Sequence, residues 1–168
     1  MRIRHVVVTG AVIFIAGCAG AYVPPSADKQ TATVTFKSES ETDLVTPSFA
    51  EKVANAKFID LNAYVNNKCE GRQQINVTQP GTKEHSIPVE AGKRFYFDIH
   101  AVISMRSGVK GKGSCRMNAS FIPVAGSSYV VTFNEVAESC FLDVQRKSGS
   151  QLVAEESFVK EPYCKPLN

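Results

Sequence analysis

Residues 95–103 read FYFDIHAVI, and this stretch decides the fold class. The side chains of a β-strand point alternately to the two faces of a sheet, so apolar residues at every second position indicate a strand with one buried face. Phe97 and Ile99 belong to the apolar face, whereas Asp98 and His100 belong to the polar face. The stretch therefore predicts a strand, and we expect its polar face to meet solvent.

The same two-residue period recurs on both sides of this stretch. It is found at residues 32–36, 59–65, 115–121, 129–133 and 140–144, and more weakly at 151–154. Breakers rich in glycine and proline separate the runs. Short, half-polar strands at this spacing predict an all-β protein, built as an antiparallel sandwich or barrel. Only residues 47–57 combine a helix-start signal with apolar residues on roughly one face, so we expect at most one short helix.

Two segments have the form of a strand, an Ala-Gly turn and a second strand. They are residues 87–97 (IPVEAGKRFYF) and residues 121–133 (FIPVAGSSYVVTF). Such units resemble those of small immunoglobulin-like or transthyretin-like sandwiches, and of uncharacterised proteobacterial lipoproteins with cysteine-bearing β-domains. The resemblance spans about residues 58–146. It implies a fold and assigns no functional residue.

The first eighteen residues have the organisation of a bacterial export signal. Arg2 and Arg4 precede an apolar run at residues 6–15. Ten residues rise about 15 Å as a helix, roughly half of a bilayer core, so the run is typical of a signal peptide and too short for a membrane span. Residues 15–18 (IAGC) resemble the bacterial lipobox. In that family the cysteine thiol takes a diacylglycerol, cleavage follows before the cysteine, and the new amine is acylated.

The lipobox resemblance divides the chain into three parts. It implies a signal peptide at residues 1–17, a lipidated Cys18 with a flexible tether at residues 18–30, and a periplasmic β-sandwich domain at residues 31–168. The tether would span at most about 40 Å. In well-studied bacterial families an aspartate after the lipidated cysteine retains the protein at the inner membrane. Ala19 stands there instead, which implies an outer-membrane lipoprotein facing the periplasm.

Charge and composition exclude some classes of function. The 168 residues are 43% hydrophobic and 21% charged, which is typical of a folded domain and unlike a disordered chain. The net charge of +3 is too small to predict a nucleic-acid partner. Removal of residues 1–17 takes away Arg2 and Arg4, which lowers the net charge to +1.

Five cysteines become four once Cys18 carries the lipid. An even number suits structural disulfides in an oxidising periplasm, and four cysteines allow three pairings. Cys115 and Cys140 both open strands that run in the same direction, so we expect the pairs Cys115–Cys140 and Cys69–Cys164. In one flat sheet the first pair would lie about 10 Å apart, which is too far for a bond, so curvature or a change of sheet is required.

The alternative for the cysteines is metal or redox chemistry. The sequence has no Cys-x-x-Cys motif, and no histidine stands near a cysteine at ligand spacing. We therefore predict neither a metal site nor a cofactor.

Residues 106–113 (RSGVKGKG) form a glycine-rich stretch with three cations, Arg106, Lys110 and Lys112. Its permissive backbone could cradle an anion, although it lacks the register of a phosphate-binding loop and joins strand to strand. A solvated hairpin loop is one interpretation. Contact with lipid headgroups, lipopolysaccharide or peptidoglycan is the other.

Asp98 and His100 share a strand face, which could also suggest an acid–base pair. No nucleophile motif accompanies them, so an exposed polar strand face is the prediction. We predict an outer-membrane-anchored, non-catalytic binding or structural module that holds an envelope protein or glycan. An accessory subunit of a secretion machine is a narrower version. The rival classes are a periplasmic enzyme and a small-ligand carrier, which would need a large apolar cavity.

Overall fold

The computed structural model describes residues 20–48, 57–104, 112–136 and 139–163. These residues form two packed β-sheets without a helix, so the predicted all-β class and small sandwich are confirmed. Most of residues 47–57, where one short helix is expected, lie outside the described residues. Within the described ranges, no helix is long and apolar enough to cross a membrane.

The sandwich has a six-stranded sheet and a five-stranded sheet. The strands are β1 Gly20–Ala21, β2 Thr31–Ser38, β3 Phe58–Tyr64, β4 Gln73–Ile75, β5 Glu84–Glu90, β6 Phe95–Ser104, β7 Lys112–Phe121, β8 Ser128–Val136, β9 Ser139–Ser148, β10 Gln151–Ala154 and β11 Val159–Glu161. Sheet A has the order β1-β4-β3-β6-β7-β11, and sheet B has the order β10-β9-β8-β2-β5. Neighbouring strands are antiparallel, except that β1 runs parallel to β4 and β2 runs parallel to β8.

Aromatic rings fill the space between the sheets. Phe36 on β2 and Phe97 on β6 meet edge to face, with ring centroids 5.5 Å apart, and so join sheet B to sheet A. Phe121 and Tyr129 make a second cross-sheet contact at 4.8 Å. All four are almost completely buried. Such pairs contribute about 0.5–1.5 kcal/mol beyond the burial of apolar area, so the alternating aromatics fix how the sheets face each other.

Both Ala-Gly turns carry the chain from one sheet to the other. The turn at Gly92 leads from β5 in sheet B to β6 in sheet A, and the turn at Gly126 leads from β7 back to β8. Both glycines have positive φ, 76° and 71°, which favours a residue without a side chain. The Gly92 N–H donates to the carbonyl of Pro123 at 2.8 Å, so the two turns meet at one end of the sandwich.

A disulfide links the two sheets. Cys115 on β7 is bonded to Cys140 on β9, with Cα atoms 6.3 Å apart, as predicted. The change of sheet between β7 and β8 places the two cysteines face to face, which a flat sheet would not allow. Cys69 is also disulfide-bonded. Its predicted partner, Cys164, lies outside the described residues, so the pair Cys69–Cys164 stays a prediction.

The start of the expected tether is part of the folded body. Gly20 and Ala21 form β1, which pairs with β4 at the edge of sheet A. Tyr22 continues this pairing, because its N–H donates to the carbonyl of Gln74 at 2.8 Å. Its hydroxyl donates to the carbonyl of Pro88 at 2.7 Å, and its ring packs against the core. Burial raises the pKa of Tyr22 to about 12. The prediction of a flexible tether at residues 18–30 is therefore wrong for residues 20–22, because their backbone pairs with β4 at the edge of sheet A.

Candidate functional site

The outer face of sheet A is buried, although the sequence predicts an exposed polar face there. Five polar side chains on this face are almost inaccessible, and we call them the polar layer: Asp60, Asn62, Asp98, Asn118 and Ser120. Asp98 is only 1% exposed. The prediction of solvent exposure was wrong because the β3–β4 loop at residues 65–72 and the segment around β11 contact this face.

Strand register brings the polar layer together. Asn62 on β3, Asp98 on β6 and Asn118 on β7 stand directly opposite one another across three strands. Directly opposite residues have Cβ atoms about 4.5–5.5 Å apart, close enough for short polar side chains to bond. The neighbouring row is Asp60, His100 and Arg116. Two adjacent rows of charged and polar groups therefore run across the middle of sheet A.

Asp98 lies at the centre of the polar layer. Its Oδ1 accepts a hydrogen bond from Asn62 Nδ2 at 2.8 Å, and its Oδ2 accepts one from the Tyr64 hydroxyl at 2.9 Å. Arg116 Nε lies 3.4 Å from Oδ2. Burial raises the pKa of Asp98, while the bonds from Asn62 and Tyr64 and the charges of Arg116 and Arg72 act in the opposite direction. Burial and the bond to Asp98 also raise the pKa of Tyr64.

Arg72 connects the β3–β4 loop to the same layer. Its Nε donates to Asn62 Oδ1 at 3.0 Å, and its Nη2 lies 3.5 Å from Asp60 Oδ2. Gln74 Nε2 donates to Asp60 Oδ1 at 3.0 Å. A buried carboxylate needs such partners, because an unpaired charge is costly in a low-dielectric interior. Arg72 and Gln74 thus satisfy Asp60 while they hold β4 and its loop against sheet A.

Asn118 and Ser120 bind the C-terminal segment. Asn118 Nδ2 donates to the carbonyl of Pro162 at 3.0 Å and lies 3.7 Å from Cys69 Sγ. Ser120 Oγ donates to Glu161 Oε1 and accepts a hydrogen bond from Arg94 Nη1 at 3.0 Å. Arg94 also reaches the carbonyl of Ser157. The polar layer therefore joins β11 and the β3–β4 loop to the middle of the sheet.

Cys69 and Pro162 both contact Asn118, which supports the predicted Cys69–Cys164 pair. Only one residue, Tyr163, separates Pro162 from Cys164, and Tyr163 is the last described residue. Cys69 itself has φ 62°, a left-handed conformation that only a few per cent of non-glycine residues adopt. The geometry thus brings Cys69 to the segment that leads to its predicted partner.

The chemistry of this arrangement is that of a structural network. Each carboxylate in it faces amide, hydroxyl or guanidinium donors, which balances charge and holds the groups in place. His100, on the neighbouring row, packs its ring edge against Phe58 with centroids 5.8 Å apart. Among the described residues, no group of three or more histidine, cysteine or acidic side chains could hold a metal ion.

A pocket with a cavity volume of about 10 Å³ lies beside the polar layer. Its walls include Tyr64, Tyr96, Cys69, Asn118 and Glu161. A cavity of this size has room for about one water molecule, far less than a site for a small molecule needs. It separates the β3–β4 loop from β11 and has the character of a packing gap.

The structure describes only some of the remaining predicted site residues. Cys18, Arg106 and Lys110 are outside the described residues, and Lys112 begins β7. The structure thus brings Cys69 to the layer, and the possible anion contact of the glycine-rich stretch stays a prediction. Asn62, Arg72 and Arg116 take part in the contacts of the polar layer, and their role was not predicted from the sequence. Aligning the three predicted strands in register would have revealed the opposed Asn62, Asp98 and Asn118.

The raised pKa of Asp98 predicts a pH dependence of stability. When the pKa is higher in the folded state, the folded protein binds the proton more tightly than the unfolded chain does. The contribution of Asp98 to the free energy of unfolding is therefore largest below its unfolded pKa of about 3.9, and it is lost as the pH rises through the folded value. We expect the stability of the wild type, relative to Asp98→Asn, to increase as the pH falls from 7 towards 4.

Urea unfolding of both proteins at several pH values measures this difference, and other titrating groups cancel in the comparison. A difference that stays constant with pH, or that shrinks as the pH falls, would contradict the assignment.

Comparisons with protein-family models, with curated proteins and with solved structures find no match for this chain.

Proposed function

We propose that this protein is an outer-membrane-anchored periplasmic lipoprotein that acts as a non-catalytic binding or structural module of the cell envelope. The observation that carries the proposal is the lipobox-like segment at residues 15–18, followed almost at once by folded structure. Gly20, two residues after Cys18, already belongs to β1. The chain thus has an export signal, a cysteine for the lipid and a sandwich joined directly to it.

The cysteines support export to an oxidising compartment. Disulfides persist in the periplasm and are rare in the reducing cytosol. Cys115 and Cys140 are bonded between the sheets, and Cys69 is bonded as well. With these cysteines used as covalent links, Cys18 is the one that the lipobox resemblance assigns to a different chemistry.

The polar layer supports a structural role over catalysis. Asp98, Asp60 and Ser120 bind segments of the same chain, and their hydrogen bonds hold loops and strands together. A rigid sandwich of this kind is suited to presenting loops and edge strands to an envelope protein or glycan.

Labelling with a radioactive fatty acid tests the anchor. We expect the wild-type protein to take up the label and Cys18→Ser to remain unlabelled, because only the thiol can accept the diacylglycerol. The wild type should also fractionate with the outer membrane. Cys164→Ser is the matched control, since it removes another cysteine and leaves the lipobox intact. Equal labelling of the wild type and Cys18→Ser would refute the proposal.

A further inference from the structure

One end of the sandwich receives the chain from the anchor, and we call it the anchor end. It consists of Gln30, the β3–β4 loop at residues 65–72, and the turns at residues 91–94 and 122–127. Gly20 stands opposite Gln73, which stands opposite Ala63, so β1 begins where β3 ends and the β3–β4 loop returns. Tyr64 also stands opposite Tyr96 near the start of β6. The loops before β4, β6 and β8 thus share this end with the start of β1.

Hydrogen bonds tie the loops of the anchor end to one another. The Ala91 N–H donates to the carbonyl of Gln30 at 2.9 Å, and the Gly126 N–H donates to the carbonyl of Thr31 at 2.8 Å. The contact between Gly92 and Pro123 joins the two sheet-changing turns. These loops therefore form one connected surface.

This surface is apolar and cationic at the same time. Val65, Ile122 and Val124 are three of the nine large apolar side chains that are exposed among the described residues. Lys68 lies exposed in the β3–β4 loop. Lys93 is exposed beside the turn at Gly92, where its ammonium group pairs with Glu90 at 2.9 Å. Apolar side chains with cations around them are the composition with which proteins bind a membrane surface.

We propose that the anchor end lies against the phospholipid surface, with Val65 and Val124 among the lipid headgroups. The proposal rests on the lipid anchor at Cys18. Two residues extend at most about 7 Å, so the lipid that Cys18 carries holds Gly20 within that distance of its point of attachment. The anchor end cannot stand away from the bilayer under this constraint.

With the covalent anchor in place, weak contacts are sufficient to orient the protein on the membrane. Because the protein is already attached, docking of the loops is an intramolecular step with a high effective concentration. Burial of exposed valines in the interface is favourable, and the ammonium groups of Lys68 and Lys93 are attracted to lipid phosphates. Surface patches that would be too small to recruit a free protein can therefore orient a tethered one.

This orientation decides which surface is open to a partner. The end of β6 and the start of β7 lie at the far end of the sandwich, as do the end of β8 and the start of β9. Val136 and Phe141 are exposed there. An envelope partner should therefore meet the far end of the sandwich.

The chain has no tryptophan, so a single introduced tryptophan reports on its own surroundings. We would place it at the anchor end in Val65→Trp and Val124→Trp, at residues that are 70% and 49% exposed. The matched controls are Val136→Trp and Phe141→Trp at the far end, where both residues are 53% exposed. Each acylated, signal-cleaved protein would be reconstituted into phosphatidylethanolamine–phosphatidylglycerol vesicles with brominated acyl chains, and its thermal unfolding would be compared with that of the wild type.

We expect the emission of Val65→Trp and Val124→Trp to shift to the blue and to be quenched by the brominated lipid. Val136→Trp and Phe141→Trp should keep the emission they show in detergent. If the protein floats with the vesicles and all four variants give equal quenching, or none, the orientation is refuted while the anchor stands. If none floats with the vesicles, the anchor fails and the orientation fails with it.

Discussion

Replacement of Asp98 by alanine is expected to lower the free energy of unfolding by about 3–5 kcal/mol, which is the range for removing one partner of a buried charge pair. The change leaves the guanidinium of Arg116 without its carboxylate. It also leaves the donors of Asn62 and Tyr64 without an acceptor on the buried face of sheet A. The expected loss thus comes mainly from polar groups that stay buried after their partner is gone. Chemical denaturation of the purified domain measures it.

Two controls separate this effect from the loss of any aspartate. Asp98→Asn keeps an oxygen that can accept the bond from Asn62, but it loses the charge and the oxygen that faces Tyr64 and Arg116, so we expect a loss of about 1–2 kcal/mol. Asp143 lies exposed on β9, and Asp143→Ala should change the stability by no more than about 0.5 kcal/mol. If Asp98→Ala were no more harmful than Asp143→Ala, the polar layer would not hold the structure together.

Removal of the inter-sheet disulfide is expected to destabilise the protein by about 3 kcal/mol in the chain-entropy model. Cys115 and Cys140 are 25 residues apart in sequence, and the bond between them restricts the unfolded chain. The double variant Cys115→Ser with Cys140→Ser would be compared with the wild type under oxidising conditions, so that Cys69 keeps its own bond. Its urea midpoint should fall, and its unfolding should depend more steeply on urea because the unfolded chain expands further.

Cys18→Ser is the control for this comparison, since it removes a cysteine outside the sandwich core. It should leave the unfolding midpoint of the soluble domain unchanged. Identical midpoints for the wild type and the Cys115/Cys140 double variant would mean that the bond closes a loop already ordered in the unfolded state, and would overturn the expected role.

The strands of the core were predictable because each one shows its own period. Phe97 and Ile99 on β6 face inward, as do Met117 and Ala119 on β7. Such alternation can be recognised within one strand, without knowledge of the strand with which it pairs. The strands β1 and β11 have two and three residues, too few for a period, and each is defined by pairing with a strand distant in sequence. No local pattern could have revealed them.

The polar layer was missed for a different physical reason. Alternation distinguishes a polar face from an apolar one, and it is natural to assign the polar face to solvent. In sheet A that face is covered by the loop that carries Arg72 and by β11, which reach it from other parts of the chain. Whether Asp98 is solvated or buried depends on those distant segments, so its own neighbours in sequence carry no information on it.

The pairing of Cys115 with Cys140 was only partly predictable from the sequence. Strand direction correctly predicts that Cys115 and Cys140 share one end of the fold. The distance in space between Cys115 and Cys140 depends on whether β7 and β8 lie in one sheet. The chain changes sheet at the turn at Gly126, so these two strands lie in different sheets. The sequence contains that turn, but it does not state which sheet the following strand joins.

We propose that a lipid on Cys18 attaches this sandwich directly to the outer membrane. Mass analysis of the N-terminal peptide of the protein, extracted from the envelope with detergent, tests it most directly. We predict a peptide that begins at Cys18 and carries a diacylglyceryl group on sulfur and an acyl chain on nitrogen. A mature peptide that begins before Cys18, or one in which Cys18 is unmodified, would contradict the proposed lipid anchor.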